Sequence, residues 1–246
     1  IARRQRQMCI RDSINPATGE AFDTITLATE EEVNDAIEKS QQAQLEWERV
    51  PQPTRAEHVK LLIPLLEKNR DEIAQLYVKE QGKTLAQAYG EIDKSISFID
   101  YMTSLSMSDK GRVLQNSIAN ETIQIINKPI GVTAGIVPWN APILVLMRKV
   151  IPAIVTGCSV VIKPSEETTL LTLRLAELFR ASTIPAGLIQ IVPGTGETVG
   201  TQLASHKDIQ LISLTGSMRA GKSVYENAAQ TVKKVNLELG GNAPVI

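Results

Sequence analysis

From Gly131 onward, apolar runs of strand length alternate with segments of helical period, and this alternation constrains the fold more than any other feature of the chain. The runs cover 131–137, 159–162, 188–192, 209–214 and 234–237, and the helical segments cover 141–156, 167–181, 197–205 and 218–230. Strands joined through helices pair in parallel, and a parallel sheet must be covered on both faces. The pattern therefore predicts an α/β fold with a doubly wound parallel sheet. In such sheets ligands bind in the loops that follow the strands.

The segment before this region is helical. Thr29 with Glu32 and Thr54 with Glu57 have capping-box spacing, each followed by apolar residues at helical intervals. Pro64 falls within the second helix and should kink or shorten it. A third helix over 69–81 stops at Gly82, and a fourth runs over 84–107. The alternating stretches 112–116 and 122–128 predict an exposed hairpin. Residues 1–12 are basic and show no pattern that packs onto the rest of the chain, so they are expected to be a leader foreign to the fold. The expected divisions are then 13–110 for the helical part, 111–129 for the hairpin and 130–246 for the α/β domain.

Composition removes several classes of function. The formal net charge is −1 and the 22% charged residues form no run of one sign, so no basic patch marks a nucleic-acid partner. No stretch approaches the roughly 18 apolar residues of a membrane span. The two cysteines, Cys9 and Cys158, suggest neither a disulfide framework nor a metal site, and a reducing, cytoplasmic setting is expected.

Five loops after predicted strands can carry chemistry, and each also has a plain structural reading. In Pro138-Trp139-Asn140 the Asn amide can donate to a developing oxyanion, or simply cap the next helix. In Lys163-Pro164-Ser165-Glu166 a carboxylate can accept both hydroxyls of a ribose, or stand as a solvated helix start. The run Gly194-Thr195-Gly196-Glu197-Thr198-Val199-Gly200 is spaced one residue away from the dinucleotide fingerprint and is a weak phosphate cradle. Leu237-Glu238-Leu239-Gly240-Gly241 offers a general base or a tight turn. Gly216-Ser217-Met218-Arg219-Ala220-Gly221-Lys222-Ser223 satisfies the P-loop pattern in full, which opens a rival reading as a nucleotide-binding phosphotransferase using Lys222 and Ser223. Against it, the strand that comes next ends in Glu238, not in a metal-binding aspartate. A dinucleotide phosphate contact explains the same residues.

Taken in order, Pro138-Trp139-Asn140, Lys163-Pro164-Ser165-Glu166, Leu214-Thr215-Gly216-Ser217 and Leu237-Glu238-Leu239-Gly240-Gly241 resemble the motif series of the aldehyde dehydrogenase superfamily. Asn15-Pro16-Ala17-Thr18-Gly19 and Glu80-Gln81-Gly82-Lys83 add to the likeness, which covers 13–246 and is nearest the lactaldehyde and glycolaldehyde dehydrogenase type. The resemblance implies a Rossmann-like NAD-binding domain with an N-terminal helical layer and a hairpin arm for assembly as a homodimer or homotetramer. It also implies a small aldehyde substrate, oxidised to a carboxylate through a cysteine thiohemiacetal and thioester. Asn140 matches the oxyanion donor, and Glu238 matches the general base for the deacylating water, a role suited to a carboxyl raised by burial. Pro138, Trp139, Lys163, Ser165, Glu166, Gly196, Gly200, Gly216, Ser217, Gly221 and Leu239 match the cofactor contacts, and Arg148 matches a substrate-side arginine. A carboxylate at Glu166 would repel a 2′-phosphate, which favours NAD over NADP. In this family the nucleophilic cysteine follows Glu238 by a few dozen residues, so the chain made alone is expected to be inactive. A non-catalytic dinucleotide-binding module is the remaining alternative.

Overall fold

The computed structural model describes residues 10–108, 111–118 and 120–245. The first strand, β1 (Ile10–Ile14), pairs antiparallel with β2 (Ala21–Thr26) across the Asn15–Gly19 turn. This corrects the expected leader boundary, because 10–12 belong to the fold and Arg11 forms an ion pair with Glu167. The hairpin buries little beyond Ser13 and Ile25, so it leaves almost no apolar pattern to read. Residues 1–9, Cys9 among them, lie outside the described residues.

Five helices come next. The capping box of Thr29 and Glu32 opens α1 (Glu30–Trp47), with Glu32 N donating to Thr29 Oγ1 at 3.2 Å and Thr29 N to Glu32 Oε2 at 2.8 Å. The second expected box does not form. Helix α2 (Gln52–Lys60) starts behind Pro51, a turn earlier, which leaves Thr54 inside the helix. Helix α3 (Leu62–Lys68) is separated from α2 at Leu61. Pro64 explains the break, since it has no N–H for the carbonyl of Lys60 and its ring crowds that group. Helix α4 (Arg70–Gln81) ends on Gly82 at φ 83, where a side chain would also strike Pro16 Cγ at 2.9 Å. A second capping box, Thr84 with Gln87, opens α5 (Leu85–Ser106).

After the hairpin β3 (Arg112–Gln115) and β4 (Thr122–Ile125) comes the parallel sheet. Its strands are β5 (Val132–Ile136), β6 (Ser159–Lys163), β7 (Ile189–Ile191), β8 (Leu211–Gly216) and β9 (Lys234–Leu239), in the order β7-β6-β5-β8-β9. The connecting helices are α6 (Pro142–Val155), α7 (Thr169–Arg180), α8 (Thr201–Ser205) and α9 (Met218–Ala229). The chain winds outward from β5 to β7, then crosses back to β8 and β9. The reversal lies between β5 and β8, where a doubly wound sheet opens a crevice at the carboxyl ends of its strands.

Each face of the sheet has its own core. On one face Trp47, Tyr77 and Ile92 of the N-terminal helices pack with Ile143, Met147 and Val160. On the other, Val33 and Ile37 of α1 pack with Ala134, Leu203, Ile212 and Val224. The Trp47 indole donates to Ile154 O at 2.6 Å, and Arg55 closes the far end of α6 by donating to Val155 O at 3.1 Å.

Two buried carboxylates join the helical layer to the sheet. Neither α6 nor α7 has a side-chain cap from its own N-cap residue. Instead, Glu91 of α5 accepts from Ile143 N and Leu144 N at 3.0 and 3.2 Å, and Glu80 of α4 accepts from Leu170 N and Leu171 N, both at 2.8 Å. Burial pushes the Glu80 carboxyl up, while the two backbone donors pull it down. Glu80→Ala leaves two buried N–H groups without an acceptor and is expected to cost about 2–4 kcal/mol of stability, measured by urea unfolding. Ser13→Ala removes only a 3.3 Å bond to the same carboxylate and should cost less than about 1 kcal/mol.

Candidate active site

The sequence-identified residues Asn140, Lys163, Ser217 and Glu238 lie at one rim of the sheet, the carboxyl ends of β5, β6, β8 and β9. Only Glu238 of the four lines a cavity; Lys163 is buried behind Glu166, Ser217 caps a helix start and Asn140 sits on an exposed loop.

The first cavity, about 580 Å³, opens at the strand reversal between the ends of β5 and β8. Glu166, Gly196 and Gly200 line it. Lys163, the last residue of β6, is buried at 2% exposure and places Nζ 3.2 Å from Glu166 Oε1 and 2.9 Å from Pro164 O. Burial pulls the Lys163 pKa down, and the neighbouring Glu166 carboxylate pulls it up. Gly196 N donates to the same Oε1 at 2.9 Å, which leaves Glu166 Oε2 without a partner among the described residues. A carboxylate held on one oxygen and open on the other can accept from a diol. Gly200 faces Ile136 and Lys163, and a Cβ there would sit 3.8 Å from both.

Other expected cofactor residues have structural work at this rim. Ser165 is buried and caps the turn after β6, with its Oγ accepting from Glu167 N at 3.3 Å, and it does not line the cavity. Ser217 caps α9 by accepting from Ala220 N at 3.2 Å, directly after Gly216 closes β8. Gly221 lets α9 approach β9, because a Cβ there would come within 2.7 Å of Leu239 Cδ2. The P-loop reading fails on backbone geometry. Residues 218–223 are already the first turns of α9, so no loop exists to wrap a phosphate, and Lys222 is exposed outside the cavity.

The second cavity, about 520 Å³, brings Arg148 and Glu238 together with Lys149, Ser213 and Leu239. Glu238 lies on the edge strand β9 and is exposed, so the burial expected of a general base is not supplied by the described residues. Lys149 is a site residue that sequence reasoning missed. Burial lowers its pKa to about 8, opposed by the Glu238 carboxylate, and its Nζ donates to Ser213 Oγ at 2.9 Å. The available signal was a lysine four residues after Val145, next to Arg148 and with it the only charge in an apolar helix, on the helical face that the strand ends must cover.

Asn140 stands apart from both linings. Pro138 is half-buried, Trp139 is 54% exposed, and the Asn140 side-chain amide makes no hydrogen bond among the described residues. Its backbone is nonetheless held. Lys83 Nζ donates to Asn140 O at 2.8 Å, to Glu91 Oε2 at 2.7 Å and to Tyr77 Oη at 2.7 Å, and Tyr77 donates its own proton to Glu91 at 2.6 Å. All three ammonium protons are thereby used. Burial and the adjacent Glu91 carboxylate raise the Tyr77 phenol. Cys158 is buried in the turn before β6 and lines neither cavity.

A parallel sheet with a carboxylate fixed at its strand reversal, and a lysine and a glutamate lining the next cavity, has the frame of a dinucleotide-binding domain. The chain belongs to the aldehyde dehydrogenase family, whose family model matches residues 3–246. It is 38% identical over 232 residues to the mitochondrial succinate-semialdehyde dehydrogenase of Arabidopsis thaliana, covering 94% of this chain and 44% of that protein. It is 37% identical over 235 residues to lactaldehyde dehydrogenase of Escherichia coli (strain K12), covering 96% and 49%. Betaine aldehyde dehydrogenase from Staphylococcus aureus, solved in complex with NAD+, superposes with a TM-score of 0.91 at 35% identity, covering 94% of this chain and 46% of that one. The chain thus spans about half the length of the relatives it matches. Semialdehyde and lactaldehyde enzymes fall within the same narrow band of identity, so identity does not choose between their substrates.

Lys149 gives stability a defined pH dependence. Between about 8 in the folded chain and 10.5, the ordinary lysine value, the unfolded chain binds more protons, so stability rises with pH across that window. Lys233, also lowered to about 8 by burial, adds a rise of the same sign. Lys149→Met is expected to be relatively more stable at pH 7.5 and to lose part of the rise between pH 7.5 and 9.5, measured by urea unfolding. An unchanged slope would contradict the burial of Lys149.

Proposed function

We propose that this chain is the cofactor-binding part of an NAD-dependent aldehyde dehydrogenase that oxidises a small aldehyde to its carboxylate. The observation that carries the reading is Glu166, fixed on one oxygen by Lys163 and Gly196 and open on the other at the strand reversal. That oxygen suits the hydroxyls of an adenosine ribose and opposes a 2′-phosphate, which favours NAD over NADP. The first-turn N–H groups of α9 behind Ser217 would hold the pyrophosphate.

The nicotinamide ring, when bound, accepts the hydride released by the aldehyde carbon. The residues of this chain orient and polarise around that event. Asn140, its backbone pinned by Lys83, offers an unengaged amide N–H to the developing oxyanion, a kind of contact whose loss typically raises a barrier by about 3–4 kcal/mol. Glu238 takes the proton from the deacylating water, and Lys149 lines the same cavity. Arg148, in the same cavity, suits an aldehyde that carries an anionic group, as succinate semialdehyde does. Cys158 is misplaced for the nucleophile, so the attacking thiol is assigned to a part of the enzyme outside these residues. The exposed hairpin, with Val113, Ile123 and Ile125 uncovered, supports assembly as a homo-oligomer.

Calorimetric titration of the chain with NAD and NADP tests the reading. Glu166→Ala is expected to weaken NAD binding by roughly tenfold, the worth of about one charge-assisted hydrogen bond, and to narrow the gap between NAD and NADP. Glu166→Gln, which keeps an acceptor for Gly196 N, should fall between the two. NAD affinity that is the same in all three proteins would refute the assignment.

A further inference from the structure

Beyond Glu166 and Gly196 the cavity at the strand reversal continues between two helical walls. Ala220, Ser223, Val224 and Asn227 line one side at i, i+3, i+4 and i+7, so they form a single face of α9. Gly200 and Ala204, one turn apart, line the other. The small side chains of Gly200, Ala204, Ala220 and Val224 leave space for a flat ring between the helices, while Arg219, Glu197 and Thr201 supply the charged and polar part of the lining. Asn227 lies ten residues past the Ser217 cap, about 15 Å along the helix, which leaves room for a nucleoside between them.

Asn227 is the one carboxamide in this lining among the described residues. Its Nδ2 donates to Ser223 O at 2.8 Å. A backbone carbonyl only accepts, so this bond fixes which end of the amide is nitrogen. Oδ1 is then an oriented acceptor, with no hydrogen bond among the described residues. A purine with an amino group at C6 can donate to it. A purine with a carbonyl at C6 sets oxygen against oxygen.

We infer that Asn227 reads the base of the dinucleotide, selecting adenine by accepting from its exocyclic amino group. The inference rests on the dinucleotide reading of this cavity and adds a specificity-determining residue to it. The comparison uses NAD and nicotinamide hypoxanthine dinucleotide, which differ at the C6 substituent and its ring tautomer, titrated into the chain by calorimetry. The unaltered chain is expected to prefer NAD by roughly three- to tenfold, the range of one net hydrogen bond. Asn227→Ala should bring the ratio close to one, and Asn227→Asp, which keeps an acceptor, should retain the preference for adenine. Alanine favours the helix, so loss of folding is not expected from that change, and a ratio of two affinities is insensitive to any general loss of binding. Equal affinity of the unaltered chain for the two dinucleotides, or an unchanged ratio in Asn227→Ala, overturns this inference and leaves the role of Glu166 standing. Failure of the unaltered chain to bind either dinucleotide overturns both.

Discussion

The structure depends on two glutamates that leave their own helices to cap others. Glu80 and Glu91 each supply the acceptor that the start of a sheet-covering helix lacks, Glu80 for α7 and Glu91 for α6. A helix start carries unpaired N–H groups and a positive dipole end, so a buried carboxylate there gains what its loss of water costs. The N-terminal helices are thereby fixed to the sheet by directional bonds as well as by apolar packing. The loops that precede α6 and α7 carry Asn140 and Glu166, so the same two carboxylates set the ends of the strands that hold the chemistry.

That anchoring explains the motif Glu80-Gln81-Gly82-Lys83 as a unit. Glu80 caps α7, Gly82 turns the chain through a left-handed residue against Pro16, and Lys83 reaches across to the Asn140 carbonyl. Three of these four consecutive residues therefore touch the β1–β2 turn, the loop before α6 and the start of α7. At the opposite side of the sheet the described residues show no such reinforcement. Strand β9 pairs only with β8 among the described residues, and Glu238 and Leu239 are exposed on it. The chain is anchored by buried hydrogen bonds where it would hold a dinucleotide and exposed where the proposed catalytic base stands.

The alternation of strands and helices was legible because each segment buries a whole face, which makes its apolar period a local property of the chain. The same was true of Thr29 with Glu32, where a cap and its partner lie within one turn; the box of Thr84 with Gln87 came only from the structure. Where more than one start satisfies the local rules, the reading failed: Thr54 with Glu57 had the right spacing, but Pro51 began the helix earlier. The strand at 10–14 escaped notice because an exposed hairpin pairs its backbone and leaves no hydrophobic trace. Among the expected site residues, Glu166, Gly196, Gly200, Arg148, Glu238 and Leu239 line the two cavities, whereas Ser165 and Gly221 serve capping and packing.

The sequence by itself determined the class of fold, the loops that could carry chemistry and the family those loops resemble, because strand period, cap spacing and motif order are written within short stretches of chain. Only the tertiary structure decided which of those residues share a cavity. Lys149 became a partner of Glu238, Lys83 a support for Asn140, and Asn227 a wall of the groove through contacts between residues far apart in sequence. No local pattern encodes such contacts, since they arise from the winding order of the sheet and the depth to which each side chain is buried.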